Sequence, residues 1–260
     1  QQAAPGDLHA TAMRVDVEQI VWHERLPVLS CDFRPGTARG EPRCLATGGG
    51  DRIVNLWEVS EASQQASKQG EGAQGGKDGG GGDAAGGAKT DSTSVRHAQA
   101  LSYHTNTVNV VRFSPDGTLL ASGGDNGELV LWSQRTEGGE WRTKCSLRGH
   151  AAGADIFDCA WSPDGAYLIS GSVDNMAIVW DVAVGKHVQQ FRDHSHYVQG
   201  VAWDPLGKYA VTQSADRSVR VYAPRAAKSK AKGGPFRCKQ IIARGEAAGR
   251  TEAEPSPAVA

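Results

Sequence analysis

The chain has 260 residues, 39% of them hydrophobic, and a formal net charge of −1. That length suits one large domain or two small ones, and so small a net charge gives no global attraction to nucleic acid or to an anionic membrane. No apolar run approaches the roughly 20 residues that a membrane helix needs, and residues 1–12, QQAAPGDLHATA, have neither the basic nor the apolar region of a secretory signal.

Residues 1–12 are expected to be a disordered N-terminus. Arg14 to Trp22, RVDVEQIVW, then alternates like a strand. A first repeat runs from His23 to Trp57, with Arg34-Pro35-Gly36 as a turn and a long connection to Cys44. Residues 60–97 follow, rich in Gly, Ala, Ser and Gln, with GGKDGGGGDAAGG at their centre. They hold too little apolar surface to offset their ordering entropy and are expected to be a disordered insertion. The fourth strand of the first unit is predicted near Ala98 to Ser102, so the insertion separates strands three and four.

The second repeat, from His104, predicts strands at Val108–Phe113, Leu119–Ser122, Glu128–Trp132 and Thr143–Leu147, with Ser114-Pro115-Asp116-Gly117 as the first turn. The third, from His150, predicts Ile156–Trp161, Tyr167–Ser170, Met176–Trp180 and His187–Phe191 around Ser162-Pro163-Asp164-Gly165. The fourth runs from Asp193 to Tyr222 with Asp204-Pro205-Leu206-Gly207. Pro fixes φ and Gly accepts a positive φ, so each of these sets a tight turn. Residues 223–260 begin as a basic linker, with a last strand at 236–243 and a disordered tail after it.

Four short strands recurring every 40 residues or so, an estimate that fits the propeller period, define an all-β β-propeller. Residues 13–59 form an outer closing strand and the first part of blade one. Residues 98–222 hold the end of blade one and blades two to four. Only four blades are visible, and the expectation is four of a probable seven in a longer ring.

One polar set recurs in each unit: His23, Thr47, Asp51 and Trp57; His104, Ser122, Asp125 and Trp132; His150, Ser170, Asp174 and Trp180; His194, Thr212, Asp216 and Tyr222. A Ser/His/Asp set invites a hydrolase reading. A catalytic triad has no reason to repeat once per blade, and there is no G-x-S-x-G elbow. These residues are expected to form buried structural networks that rigidify each blade. The second repeat carries one extra residue, so either Asp125 or Asn126 is a candidate for its acidic slot. His194 and His196 form an H-x-H without an evident third ligand, so no metal is assigned. No catalytic, cofactor or small-molecule substrate site is assigned either. The five cysteines, Cys31, Cys44, Cys145, Cys159 and Cys238, form no C-x-x-C pair, and most lie in strand-like runs, which points to a reduced, intracellular setting. The basic residues Arg225, Lys228, Lys230, Lys232, Arg237 and Lys239 read as a solvated linker or as a nuclear address. On the face that carries the His loops and Asp turns, Thr105, Asn106, Asn175, His196, Tyr197 and Arg217 are the candidate partner-binding residues.

The repeats resemble the WD-repeat family, and several segments narrow the match. HTNTVNVVRFSPDGTLLASGGDNGELVLW (104–132), GSVDNMAIVWDV (171–182), HYVQGVAWDPLGKY (196–209), DRSVRVY (216–222) and MRVDVEQIVWH (13–23) resemble the middle-subunit family of chromatin assembly factor 1. The related HIRA-type histone chaperones share a WDP-x-GKY segment. The resemblance implies a nuclear, non-catalytic scaffold in a complex that deposits histones H3 and H4 during replication-coupled nucleosome assembly. Its implied partners are the large and small subunits of that factor, histones H3–H4 and other histone chaperones, with no membrane. The alternative is a WD-repeat scaffold in another complex, either HIRA-type deposition or a ubiquitin-ligase adaptor.

Overall fold

The computed structural model describes residues 23–38, 41–61, 93–136, 138–225 and 235–243. The expectations for residues 1–22, the core of the insertion, Lys228, Lys230, Lys232 and the C-terminal tail therefore lie outside the described residues. Within them the structure is all-β.

Among the described residues, sixteen strands form four sheets of four. Blade one holds β1 (Val28–Phe33), β2 (Arg43–Gly49), β3 (Ile53–Glu61) and β4 (Thr93–Ser102). Blade two holds β5 (Val108–Phe113), β6 (Leu119–Gly124), β7 (Glu128–Gln134) and β8 (Trp141–Arg148). Blade three holds β9 (Ile156–Trp161), β10 (Tyr167–Ser172), β11 (Ala177–Asp181) and β12 (Lys186–Phe191). Blade four holds β13 (Val198–Trp203), β14 (Ala210–Ser214), β15 (Ser218–Pro224) and β16 (Phe236–Ala243). Each sheet is an antiparallel meander in chain order, so β1, β5, β9 and β13 are the innermost strands.

The chain folds this way because its turns are specified. Ser114 Oγ and Ser162 Oγ accept the Leu119 and Tyr167 amides, and Gly117, Gly165 and Gly207 all take φ near +69°. Two bulges recur per blade. One disturbs the pairing of the two innermost strands, and the other falls just before Trp57, Trp132, Trp180 or Tyr222. A bulge raises local twist and re-aims a side chain.

The strands hold where they were expected, with one difference. β4 begins at Thr93, inside the segment assigned to the insertion. The reason is pairing, since β3 continues to Glu61 and carries β4 with it, and Arg96 pairs with Glu58 at 2.6 Å.

Apolar packing lies between blades rather than within one. Ala46, Val54 and Leu56 of blade one meet Val108, Val111 and Phe113 of blade two, and the two later junctions repeat this. A glycine on the second strand receives the first aliphatic of the next blade. A Cβ on Gly48 would lie 2.7 Å from Val108, and one on Gly171 would lie 2.6 Å from Val198. Side chains also bond the neighbouring blade's backbone. Ser30 accepts from the Val111 amide and Asp158 from the Val201 amide, while Trp161 donates to the Arg112 carbonyl and Trp203 to the Ala160 carbonyl. On the outer strands Gln99 clamps the backbone of Trp141 at both its N–H and C=O, and Gln189 does the same to Phe236.

The two end faces lack that cover. Val28 and Phe33 of blade one are 45% and 50% exposed, whereas their blade-two counterparts Val108 and Phe113 are buried. On blade four, Ile242 is 53% exposed, and Gln213 stands where the other second strands carry glycine.

Gly171→Val forces added methyls into Val198 and is expected to destabilise by about 1–3 kcal/mol, the usual cost of overpacking. Gln213→Val, at the exposed equivalent site, is expected to leave the urea midpoint nearly unchanged.

Candidate functional site

The repeated polar sets converge as hydrogen-bonded chains. In blade one, His23 Nε2 lies 2.8 Å from Thr47 Oγ1, His23 Nδ1 lies 2.8 Å from Asp51, and Trp57 donates its indole N–H to Thr47 at 2.8 Å. In blade three, His150 bonds Ser170 at 2.8 Å and Asp174 at 3.0 Å, and Trp180 donates to Ser170 at 2.9 Å. The indole can only donate. The Ser or Thr oxygen therefore accepts from it and points its own proton at the imidazole Nε2. That leaves Nδ1–H to donate to the carboxylate. The hydroxyls and imidazoles are buried. In blades one and three the set ties the entry loop, the second strand, the turn and the third strand together.

The carboxylates also hold their turns. Asp174 accepts from the Ala151 and Met176 amides, and Asp216 accepts from the Ser195 and Ser218 amides. Both carboxyls sit below the usual carboxylate range. Burial opposes this, and it is outweighed by hydrogen bonds, chiefly from His150 for Asp174 and from Ser218 and His194 for Asp216. In blade one the residues after His23, Glu24 and Arg25, take φ of 51° and 64°. The entry loop there does not deliver an amide to the carboxylate, and Asp51 Oδ2 is buried without a partner.

Blade two corrects the sequence reading. Neither Asp125 nor Asn126 bonds His104. Asp125 accepts from Asn109 at 2.7 Å, and Asn126 reaches Thr105. The extra residue in this turn puts the positive φ, 73°, on Gly127 and carries the acid past the imidazole. His104 keeps only Ser122, at 2.7 Å. Burial lowers its pKa from 6.5 to about 4, with Glu128 pulling the other way. Blade four differs at the aromatic end. Tyr222 donates its O–H to Asp193 at 3.1 Å rather than to Thr212, and its ring stacks on Phe191. Burial first, then Asp193, raises the phenol far above its ordinary value.

The candidate partner-binding residues fall into two groups. Tyr197, 43% exposed, His196 and Arg217 sit together on blade four, where the Tyr197 carbonyl accepts the Ala215 amide. Asn175 holds the matching turn of blade three. Thr105 and Asn106 lie apart on blade two, both exposed. Asn175, Arg217 and Arg52 occupy one repeated turn position with φ of 68°, 68° and 69°. His194 is committed to Asp216 and Thr212, and His196 accepts the Tyr197 amide. Among the described residues no group of three or more His, Cys, Asp or Glu is placed to hold a metal ion. Of the basic cluster, Arg225 bonds the Phe236 carbonyl and Lys239 lies over the Tyr209 ring. Sequence reasoning missed the glutamine clamps and the inner-strand aspartates, because neither recurs in every repeat.

A His–hydroxyl–Asp chain closed by an aromatic residue, repeated on four-stranded meanders, defines a WD-repeat β-propeller. The family described as "CAF1B/HIR1 beta-propeller domain" matches residues 86–241, and the chain belongs to it. The chain is 38% identical to the rice (Oryza sativa subsp. japonica) "Chromatin assembly factor 1 subunit FAS2 homolog" over 94% of its own length and 43% of that protein. It is 37% identical to a chromatin assembly factor 1 subunit of Gallus gallus over 81% of its own length and 35% of that protein. "Protein HIR1" of Kluyveromyces lactis is 29% identical over 77% of this chain and 22% of that protein. The chain thus spans less than half the length of these curated relatives.

Two outcomes follow from the networks. Asp174→Ala strands His150 and two amides and is expected to cost about 1–3 kcal/mol in a denaturant titration, whereas Asp125→Ala, which leaves no imidazole unpaired, should cost less. The second concerns His104. Its folded pKa of about 4 lies below the unfolded 6.5, so the unfolded chain takes up the proton first. Its contribution is complete above pH 6.5 and is lost as pH falls toward 4. His104→Gln should therefore flatten the fall in denaturant midpoint across that window.

Proposed function

We propose that this chain is a non-catalytic scaffold subunit of a nuclear histone chaperone complex that deposits histones H3 and H4 in replication-coupled nucleosome assembly. The family match over residues 86–241 carries this reading. Relatives named as chromatin assembly factor 1 subunits, at 34–38% identity, support the replication-coupled branch. The proposed partners are the large and small subunits of that factor, histones H3–H4, held directly or through them, and other histone chaperones. A rigid propeller suits holding partners on its loops. Replication-independent deposition of the HIRA type is the second reading, favoured by the shared family and by the HIR1 relative.

The blade-four group is the proposed contact. Tyr197 is a large aromatic side chain left exposed, and Arg217 is an exposed cation on the neighbouring turn of the same blade.

The test is affinity capture from S-phase extract with the wild-type chain and with Tyr197→Ala/Arg217→Glu. Recovery of the large subunit and histones by the wild type, with at least about a tenfold loss in the double variant, a hot-spot-sized effect, is expected. Recovery of HIRA-complex or ubiquitin-ligase components without the large subunit would overturn the assignment. An undiminished double variant would move the contact elsewhere on the chain.

A further inference from the structure

The Pro turns that follow β5 and β9 are held by their third residue. The Asp116 carboxylate accepts the Ser114 hydroxyl and the Thr118 amide, and Asp164 accepts the Ser162 hydroxyl and the Ala166 amide. The turn after β13 reads Asp204-Pro205-Leu206-Gly207 and is held from its first residue instead. The Asp204 carboxylate accepts the Lys208 amide at 3.0 Å, and the Asp204 carbonyl accepts the Gly207 amide at 2.8 Å. The backbone shape is kept, with φ of 69° at Gly117, Gly165 and Gly207 alike. Moving the carboxylate from the third position to the first leaves the third side chain with no part in the turn's hydrogen bonds.

Leu206 fills that third position and is 74% exposed, more than any other large apolar side chain among the described residues. The uncovered end face of blade four does not account for this. Asp116 and Asp164 are exposed at the same position, although blades two and three are packed against a neighbour on both sides. Pro205 and Lys208, in the same turn, are exposed too. Lys208 makes no ion pair with any described residue, and Lys239 lies 3.3 Å from the hydroxyl of Tyr209, the next residue along. A single exposed leucine is ordinary on a protein surface. A leucine at a position that two other blades give to a carboxylate, on a turn whose shape other bonds hold, is a fixed apolar knob with lysines beside it.

We infer that Leu206 is a docking knob for an apolar pocket rimmed by carboxylates on a protein partner, with Lys208 pairing the rim. The lysines disfavour basic histones as the occupant. The site is therefore assigned to a non-histone partner, the large subunit of the assembly factor, and it rests on the assembly-factor reading. Tyr197 precedes β13 and Asp204 follows it, so the knob lies at the opposite end of that strand from the Tyr197 group. It is a second contact rather than part of the first.

The experiment is biolayer interferometry on the immobilised 260-residue chain, with the purified large subunit, the purified small subunit and H3–H4 as separate probes. Leu206→Ala removes the knob, and Leu206→Met keeps one of similar volume. Asp204→Ser combined with Leu206→Asp rebuilds the Ser-Pro-Asp-Gly turn of blade three in blade four. Large-subunit binding is expected to weaken about tenfold in Leu206→Ala and in the rebuilt turn, as for an aliphatic side chain of this size left in water, and to persist in Leu206→Met. Thermal melts should be unchanged, because Leu206 is mostly exposed and the rebuilt turn already serves blade three. Val184→Ala, at an aliphatic side chain 63% exposed on blade three, should bind as the wild type does. Equal large-subunit binding by the wild type and Leu206→Ala would overturn the inference and keep the assembly-factor reading. So would equal weakening by Val184→Ala, or an effect of Leu206→Ala confined to the small subunit or to histones. A wild-type chain that fails to bind the large subunit would overturn both.

Discussion

The hydrogen bond between an imidazole and a strand hydroxyl is the contact on which the other parts of each blade depend. It is present in all four, between His23 and Thr47, His104 and Ser122, His150 and Ser170, and His194 and Thr212, at 2.6–2.8 Å. The members on either side vary. Blade two loses the acid, and blade four redirects its aromatic hydroxyl to Asp193. A buried hydroxyl and a buried imidazole each cost free energy when left unpaired, so the pair is the part a blade cannot give up singly. Around it the strand order, the entry loop and the Asp turn become one rigid unit. Loops held on such a unit can present side chains in fixed positions.

Blade-to-blade cohesion rests on a different device. The sheets interdigitate through glycine sockets such as Gly48 and Gly171, which let Val108 and Val198 approach the neighbouring sheet's backbone. The inner strands are then stitched by side chains to the next blade's main chain, as Asp158 does to the Val201 amide. Each such bond fixes one blade's rotation against the next.

The departures from strict repetition concentrate at the turns and on the inner strands. The extra residue at Asp125–Gly127 re-aims Asp125 toward Asn109, and exposed Thr105 and Asn106 stand beside it. Arg52 and Arg217 hold a left-handed turn position that blade two fills with glycine. On the inner wall, Asp32 aligns with Arg112 in one blade and with alanine in the next two, so the charge there belongs to no repeat rule.

The sequence by itself determined the strands, the turns and the complete polar sets of blades one and three, because each rests on local rules. A Pro-Asp-Gly turn, a period-two strand and a His followed at fixed spacing by Ser, Asp and Trp are all legible along one blade. Family wording in 104–132 and 196–222 was legible for the same reason. Only the tertiary structure decided whether Asp125 reaches His104, because one added residue rotates a turn in a way spacing does not reveal. The same holds for the start of β4 at Thr93, which is set by pairing with β3 across a break in sequence that looks structureless. It holds most of all for the charged residues of the inner strands. Asp32, Arg112 and Asp158 are far apart in the chain and read singly as ordinary polar strand residues, and packing alone brings their charges into one cavity.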